Sequence, residues 1–175
     1  MRPEATTMRI LFFLLLAGVV LLSSCGINSV PPEAISRSSI TLPQGKSIGL
    51  QKAEGKPLFN LEQVGDVIAP LEKSSVSVRL GMPVTILGWA VDESGKTTAS
   101  GVDVVIDGKA YASEYGAERE DVGAYYKVPA YKNSGYTLTF PAGSFGKGRH
   151  QVCVRVLAQD GKKYWESSPL TFNVQ

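Results

Sequence analysis

From Phe59 onward, apolar and polar side chains alternate in short runs, the period of a half-buried strand. Phe59 to Val64 forms the first run, and a loop around Pro70 follows. Ser75 to Leu80 alternates cleanly and predicts Val76, Val78 and Leu80 on one face. Val84 to Val91 is apolar on both faces toward its end, as expected of a central strand. Asp92 to Gly95 reads as a turn, and Gly101 to Ile106 as the next strand. Asp107-Gly108 is a two-residue hairpin signal that returns the chain through Lys109 to Ala112. Tyr136 to Phe140, Arg149 to Leu157, Tyr164-Trp165 and Leu170 to Val174 complete the series. The pattern lapses only over residues 114–134, where Glu118 to Val122 suits a helical turn and Pro129 ends it.

About seven or eight short strands separated by turns predict an all-β domain. No strand–helix–strand repeat is visible, so an antiparallel β-sandwich is expected, each half-apolar sheet covering the other. Residues 26 to about 56 lack this order. They hold Pro31-Pro32, the polar run Ser36 to Ser39, and Gly45, Gly49 and Gly55. Low apolar density leaves little to offset the entropy of ordering that backbone. Only Ile40 to Leu42 and Ile48 to Leu50 hint at alternation, and the alternative is that a short part of the tether docks as an extra edge strand. The expected organisation is therefore a leader over 1–24, a tether over 25–58 and a folded domain over 59–175.

The leader is read from a different pattern. Leu11 to Leu22 is an uncharged apolar run with Arg9 just before it and Ser23-Ser24-Cys25 just after. These are the parts of a secretion signal, in a run too short for a comfortable membrane span. Leu22-Ser23-Ser24-Cys25 resembles the lipobox of bacterial lipoproteins. That resemblance implies cleavage before Cys25 and acylation of its thiol and new amine, anchoring the chain to membrane lipid. The other reading is an ordinary signal or anchor with Cys25 incidental. Gly26 stands where an Asp would resemble an inner-membrane retention signal, so an outer-membrane location facing the periplasm is expected. Met8-Arg9 offers a second possible start.

Gly88 to Asp92, Val102 to Gly108, Arg119, Asp121-Val122, Asn133 to Tyr136 and Gly148 to His150 together resemble an immunoglobulin-like accessory domain of bacterial surface and periplasmic proteins. Such domains accompany membrane-bound sugar transferases and cell-envelope enzymes. The resemblance covers about residues 59–174 and rests on turn and core positions, so it implies fold rather than activity.

Composition narrows the chemistry. A net charge of +2 gives no basic footprint for nucleic acid. One histidine, His150, makes no multi-histidine metal site, and no nucleophile elbow, phosphate loop or calcium loop is present. Neither cofactor nor catalysis is expected. With Cys25 lipidated, Cys153 has no disulfide partner and reads as a small buried residue within a strand. Trp89 reads as core, and Trp165 as strand-edge packing or an exposed platform. The candidate binding residues are Arg119, Tyr125, Tyr126 and Tyr131, because tyrosines beside charges stack on and hydrogen-bond to sugars or peptides. Alternatively Arg119 pairs with a nearby carboxylate and the tyrosines cover the sandwich edge. The expected function is a non-catalytic, lipid-anchored envelope module for binding or structural support, with an envelope protein or glycan as partner. The alternatives are an accessory subunit of an envelope enzyme or secretion complex and, last, a glycan-acting enzyme. Replacing Cys25 with Ala is expected to abolish acylation and lipoprotein-type cleavage. Intact-mass measurement of both forms checks this, and an identical lipid-free mature species from each contradicts it.

Overall fold

The protein's structure, a computed structural model, describes residues 41–175. The leader, Cys25 and the chain through residue 40 lie outside the described residues. Among those described, no helix is long and apolar enough to cross a membrane. The strands are β1 (Gln51–Lys52), β2 (Leu58–Val64), β3 (Val67–Ile68), β4 (Ser77–Val78), β5 (Val84–Asp92), β6 (Thr97–Thr98) and β7 (Gly101–Ile106). They continue as β8 (Lys109–Ala112), β9 (Glu114–Ala117), β10 (Gly135–Phe140), β11 (Gly148–Leu157), β12 (Lys163–Glu166) and β13 (Leu170–Val174). One short helix, α1 (Glu120–Tyr126), interrupts them.

Two sheets result. In the first, β11 is the spine: β7 lies along one edge, and β13 then β12 along the other. In the second, β5 lies between β2 and β10. This central place follows from its burial on both faces near Val91. The inward faces meet in one core that includes Val104, Val152, Val154 and Phe172 from the first sheet and Val64, Ile86, Tyr136 and Phe140 from the second. Asp107 and Gly108 both take positive φ, as a two-residue hairpin turn of the primed type requires. Tyr115 crosses behind β5, donating its hydroxyl to the Ala90 carbonyl at 2.8 Å and accepting the Ala99 amide at 3.0 Å. Burial there pushes its hydroxyl pKa up to about 12.

Several expectations need correction. The structure has thirteen strands among the described residues rather than seven or eight: β1, β3 and β6 are two-residue pairings, and β9 lies within residues 114–134, where the pattern lapses. Alternation has no purchase on a two-residue strand. The pairing is not wholly antiparallel, since β1–β12 and β13–β4 are parallel. Leu80 is exposed rather than facing the core with Val76 and Val78. The strand stops at Val78, and a turn closed by the Met82 amide on the Arg79 carbonyl carries Leu80 outward. Cys153 is half-buried on the outer face of β11, beside Arg155 and Glu166. Burial and then the Glu166 charge push its thiol pKa up, so it stays a protonated, unactivated thiol.

The packed chain also begins before Phe59. Residues 43–53 lie along the first sheet, held by main-chain bonds rather than apolar burial. Gly45 donates to the Ala110 carbonyl, and Ala112 to the Pro43 carbonyl. Asp103, fully buried on β7, accepts the Lys46 amide at 3.0 Å and the Ser47 amide at 2.6 Å. Gly45 is required there: a Cβ would stand 2.5 Å from that of Ala110 and 2.8 Å from the Asp103 carboxylate. The edge pairing of β1 with β12 is the alternative reading of the tether, while its anchor, a carboxylate receiving amides, carries no apolar signal.

His150 is a packing and hydrogen-bonding residue near the start of β11. Its ring stacks on Phe172, with Nδ1 2.7 Å from Asp107 Oδ2 and Nε2 2.9 Å from the Gly146 carbonyl. Two acceptors on two ring nitrogens favour the imidazolium, and the Asp107 and Gly146 bonds raise its pKa. A raised folded-state pKa contributes stability below the unfolded value of about 6.5 and loses it as pH climbs through the folded value. Thermal melts are therefore expected to show a larger loss of stability from about pH 6 to 8 in the parent than in His150→Gln. Equal slopes contradict the clamp. In the core, Val154→Asp is expected to cost more than about 4 kcal/mol by denaturant titration, since the carboxylate would have no partner.

Candidate functional site

Residues 119–134 form a cap on the outer face of the second sheet. Glu120 and Asp121 occupy the first turn of α1, where the helix dipole favours acids. Lys127 ends the helix in the left-handed region at φ 56°, and the Val128 amide closes onto the Gly123 carbonyl. Pro129 then opens a 3₁₀ turn through Asn133. Gly123 lets the two turns touch, since a Cβ there would meet the Lys132 amide nitrogen at 3.3 Å. Val122 and Tyr131 are buried against Val91, with Leu58, Trp89, Tyr126 and Val128 packed around them. The Ala90 amide donates to the Ser134 carbonyl at 3.0 Å and fixes the cap's exit. Trp89 thus belongs to a second, outer cluster rather than to the main core.

Arg119 clasps the cap to β2. Its Nη1 and Nη2 donate to the two oxygens of Glu62 at 2.8 and 2.9 Å. Nε and Nη2 donate to the two oxygens of Asp121 at 2.9 and 2.7 Å. The Asp121 bond, then the Glu62 bond against some burial, drives the guanidinium pKa higher still. The Arg119 hydrogen bond holds the Asp121 carboxyl below its usual range. Gly135 makes room beneath, where a Cβ would stand 3.3 Å from Arg119 Cγ.

The three candidate tyrosines form one edge-on chain with unequal roles. Tyr131 and Tyr126 have ring centroids 5.8 Å apart, and Tyr126 also meets Trp89 at 5.6 Å. Tyr125 meets Tyr126 at 4.9 Å and is 79% exposed. Tyr131 is 3% exposed and serves the packing, so the sequence pattern brought these rings together without distinguishing them. Burial pushes the Tyr126 and Tyr131 hydroxyls up, and the Glu93 charge adds to both.

Glu93 also opens onto a feature the sequence did not reveal. A cleft of about 240 Å³ is lined by Lys56, Pro57, Leu58, Val91, Glu93, Ser94 and Trp165. It adjoins the cap through Leu58 and Val91, which pack in the cap's cluster. Trp165 is half-buried on this wall with the Lys163 ammonium 4.9 Å from its ring centroid. Glu93 reads in sequence only as part of a turn, and Lys56 only as tether. A second cleft of about 410 Å³ lies beside β2 and carries Ile68, Leu71 and Leu87. Among the described residues, no group of three His, Cys, Asp or Glu side chains is placed to hold a metal ion.

No family model matches the chain. No curated protein matches it either. Among solved structures it is similar to the endo-β-1,4-mannanase from Thermotoga petrophila, at 15% identity and a TM-score of 0.40, over 70% of this chain and 21% of that one. It is also similar to the S-layer protein SbsC domains 4 and 5, at 17% identity and a TM-score of 0.32, over 69% of this chain and 54% of that one. The chain therefore spans about a fifth of the first and about half of the second. Likenesses this distant carry neither architecture nor activity over.

The unequal burial of the tyrosines sets an expected contrast in stability. Tyr131→Ala should cost about 3 kcal/mol or more, and Tyr125→Ala less than about 0.5 kcal/mol, in denaturant unfolding. Equal costs would contradict the division between packing and presentation.

Proposed function

We propose that this protein is a non-catalytic, lipid-anchored module of the cell envelope that binds an envelope ligand through the cap on its second sheet. The reading joins the lipobox-like Leu22-Ser23-Ser24-Cys25 to an immunoglobulin-like β-sandwich carried on the outer membrane and facing the periplasm. The observation that carries it is Tyr125, an exposed ring held edge-on by Tyr126, which Trp89 and Tyr131 fix in turn. A solvated aromatic on a packed support presents contact area at little entropic cost on binding. Arg119 serves this surface by holding the cap, since both its carboxylate pairs are within the fold.

A second reading, an accessory subunit of an envelope enzyme or secretion complex, is favoured by a different surface. Ile68 and Leu71 are 61% and 50% exposed beside the cleft that Leu87 lines, and apolar groups on one rim suit a protein partner. Pull-down from detergent-solubilised membranes separates the two. The leading reading predicts envelope glycan retained without a stoichiometric protein partner, and retention lost in Tyr125→Ala with unchanged thermal unfolding. A stable protein partner insensitive to Tyr125→Ala would overturn it in favour of the accessory role.

A further inference from the structure

The cleft beside the cap has the make-up of a sugar subsite. Its aromatic lining is Trp165, and its aliphatic lining is Pro57, Leu58 and Val91. The rim holds one carboxylate, Glu93, and one ammonium, Lys56. Both of these side chains are exposed, and neither makes an ion pair or side-chain hydrogen bond among the described residues. Ser94 donates its hydroxyl to Asp92 at 2.7 Å, which leaves its oxygen to accept. The Ser94 bond is the Asx-type tie that, with the Gly95 amide at 3.0 Å and the Gln159 amide at 2.9 Å, sets the turn carrying Glu93. The rim is therefore placed by a hydrogen-bonded turn rather than by a free loop.

Lys163, over the Trp165 ring, adds a second cation beside Lys56, and Asp92, whose carboxylate feels the Lys163 charge, adds a second anion beside Glu93, so the cleft has no net attraction for a charged ligand. What it offers is an apolar aromatic wall with an acceptor and a donor at its edge. An aliphatic side chain would use the wall and leave Glu93 and Lys56 without partners. A pyranose ring with equatorial hydroxyls uses both, because its faces are C–H and its edge is O–H. The volume of about 240 Å³ holds one such ring rather than a chain of them. The Glu93 charge also acts on Tyr126 and Tyr131, so the cleft and the cap meet at this residue.

We infer that the Trp165–Glu93–Lys56 cleft is a subsite for one ring of an uncharged pyranose saccharide with equatorial hydroxyls, Trp165 stacking on the ring and Glu93 accepting from its hydroxyls. This rests on the reading that the cap face binds an envelope ligand, and it names the ligand class. The test is calorimetric titration of the full-length protein, in micelles of a detergent without a sugar headgroup, with cellotetraose and with chitotetraose. Saturable binding of at least one is expected, weakened about tenfold by Glu93→Gln and at least about tenfold by Trp165→Ala. Circular dichroism checks that each variant is folded; should Trp165→Ala unfold, Glu93→Gln decides, its side chain being exposed. Binding unaffected by Glu93→Gln overturns the subsite, and if Tyr125→Ala abolishes that binding the cap reading stands alone. Absence of binding to both tetrasaccharides overturns the subsite as well. The membrane pull-down with Tyr125→Ala then judges the cap reading independently.

Discussion

A single guanidinium organises the outer half of this domain. Arg119 sits at the start of α1 and divides its donors between Glu62 on β2 and Asp121 one residue into the helix. The Arg119 and Glu62 side chains are 21% and 30% exposed, so the pair is neither fully solvated nor fully buried. Solvated pairs contribute roughly 0–1 kcal/mol, and buried ones repay little beyond their desolvation. The clasp matters for position more than for strength. It fixes where the helix begins, and hence where its apolar side lands on β5.

The apolar side then supplies the energy. Burying Val122 and Tyr131 against Val91 stabilises the cap by about 1.5–3 kcal/mol for each fully covered side chain. Because Val91 and Trp89 face outward, β5 is covered on both sides: by the main core within and by the cap without. The aromatic chain from Trp89 to Tyr125 runs from this packed base to solvent. Its outer ring, on α1, rests through Tyr126 on Trp89 of the strand at the centre of the sheet, so the cap has little freedom to lose on binding.

The sequence made the long strands legible because each alternates for several residues. Val152, Val154 and Val156 on β11 could face only one way, and Asp107-Gly108 could only turn. The two-residue strands β1, β3 and β6 were not legible, since pairing there depends on neighbours distant in sequence. The anchoring of residues 43–53 escaped for a related reason, although an edge strand from the tether was one reading: their partner, Asp103, is an acid inside a valine-rich strand, and nothing local says that it receives amides. The tyrosines were legible as a group but not as a hierarchy, because Tyr125, Tyr126 and Tyr131 differ only in how α1 and the 3₁₀ turn orient them. Glu93 and Lys56 carried no signal, being separated in sequence and joined only where the first residues of β2 run beside the end of β5.

The central claim is that the cap is a fixed support rather than a mobile loop. Amide hydrogen exchange of the intact protein tests it most directly. The amides of Val128, Tyr131 and Ala90 each have a main-chain acceptor that binds the cap to itself or to β5. The account predicts that all three exchange slowly, with Val128 and Tyr131 within about tenfold of strand amides in β5, and that Arg119→Gln speeds the cap amides selectively. Cap amides that exchange at the rates of an unprotected loop while β5 remains protected would contradict it.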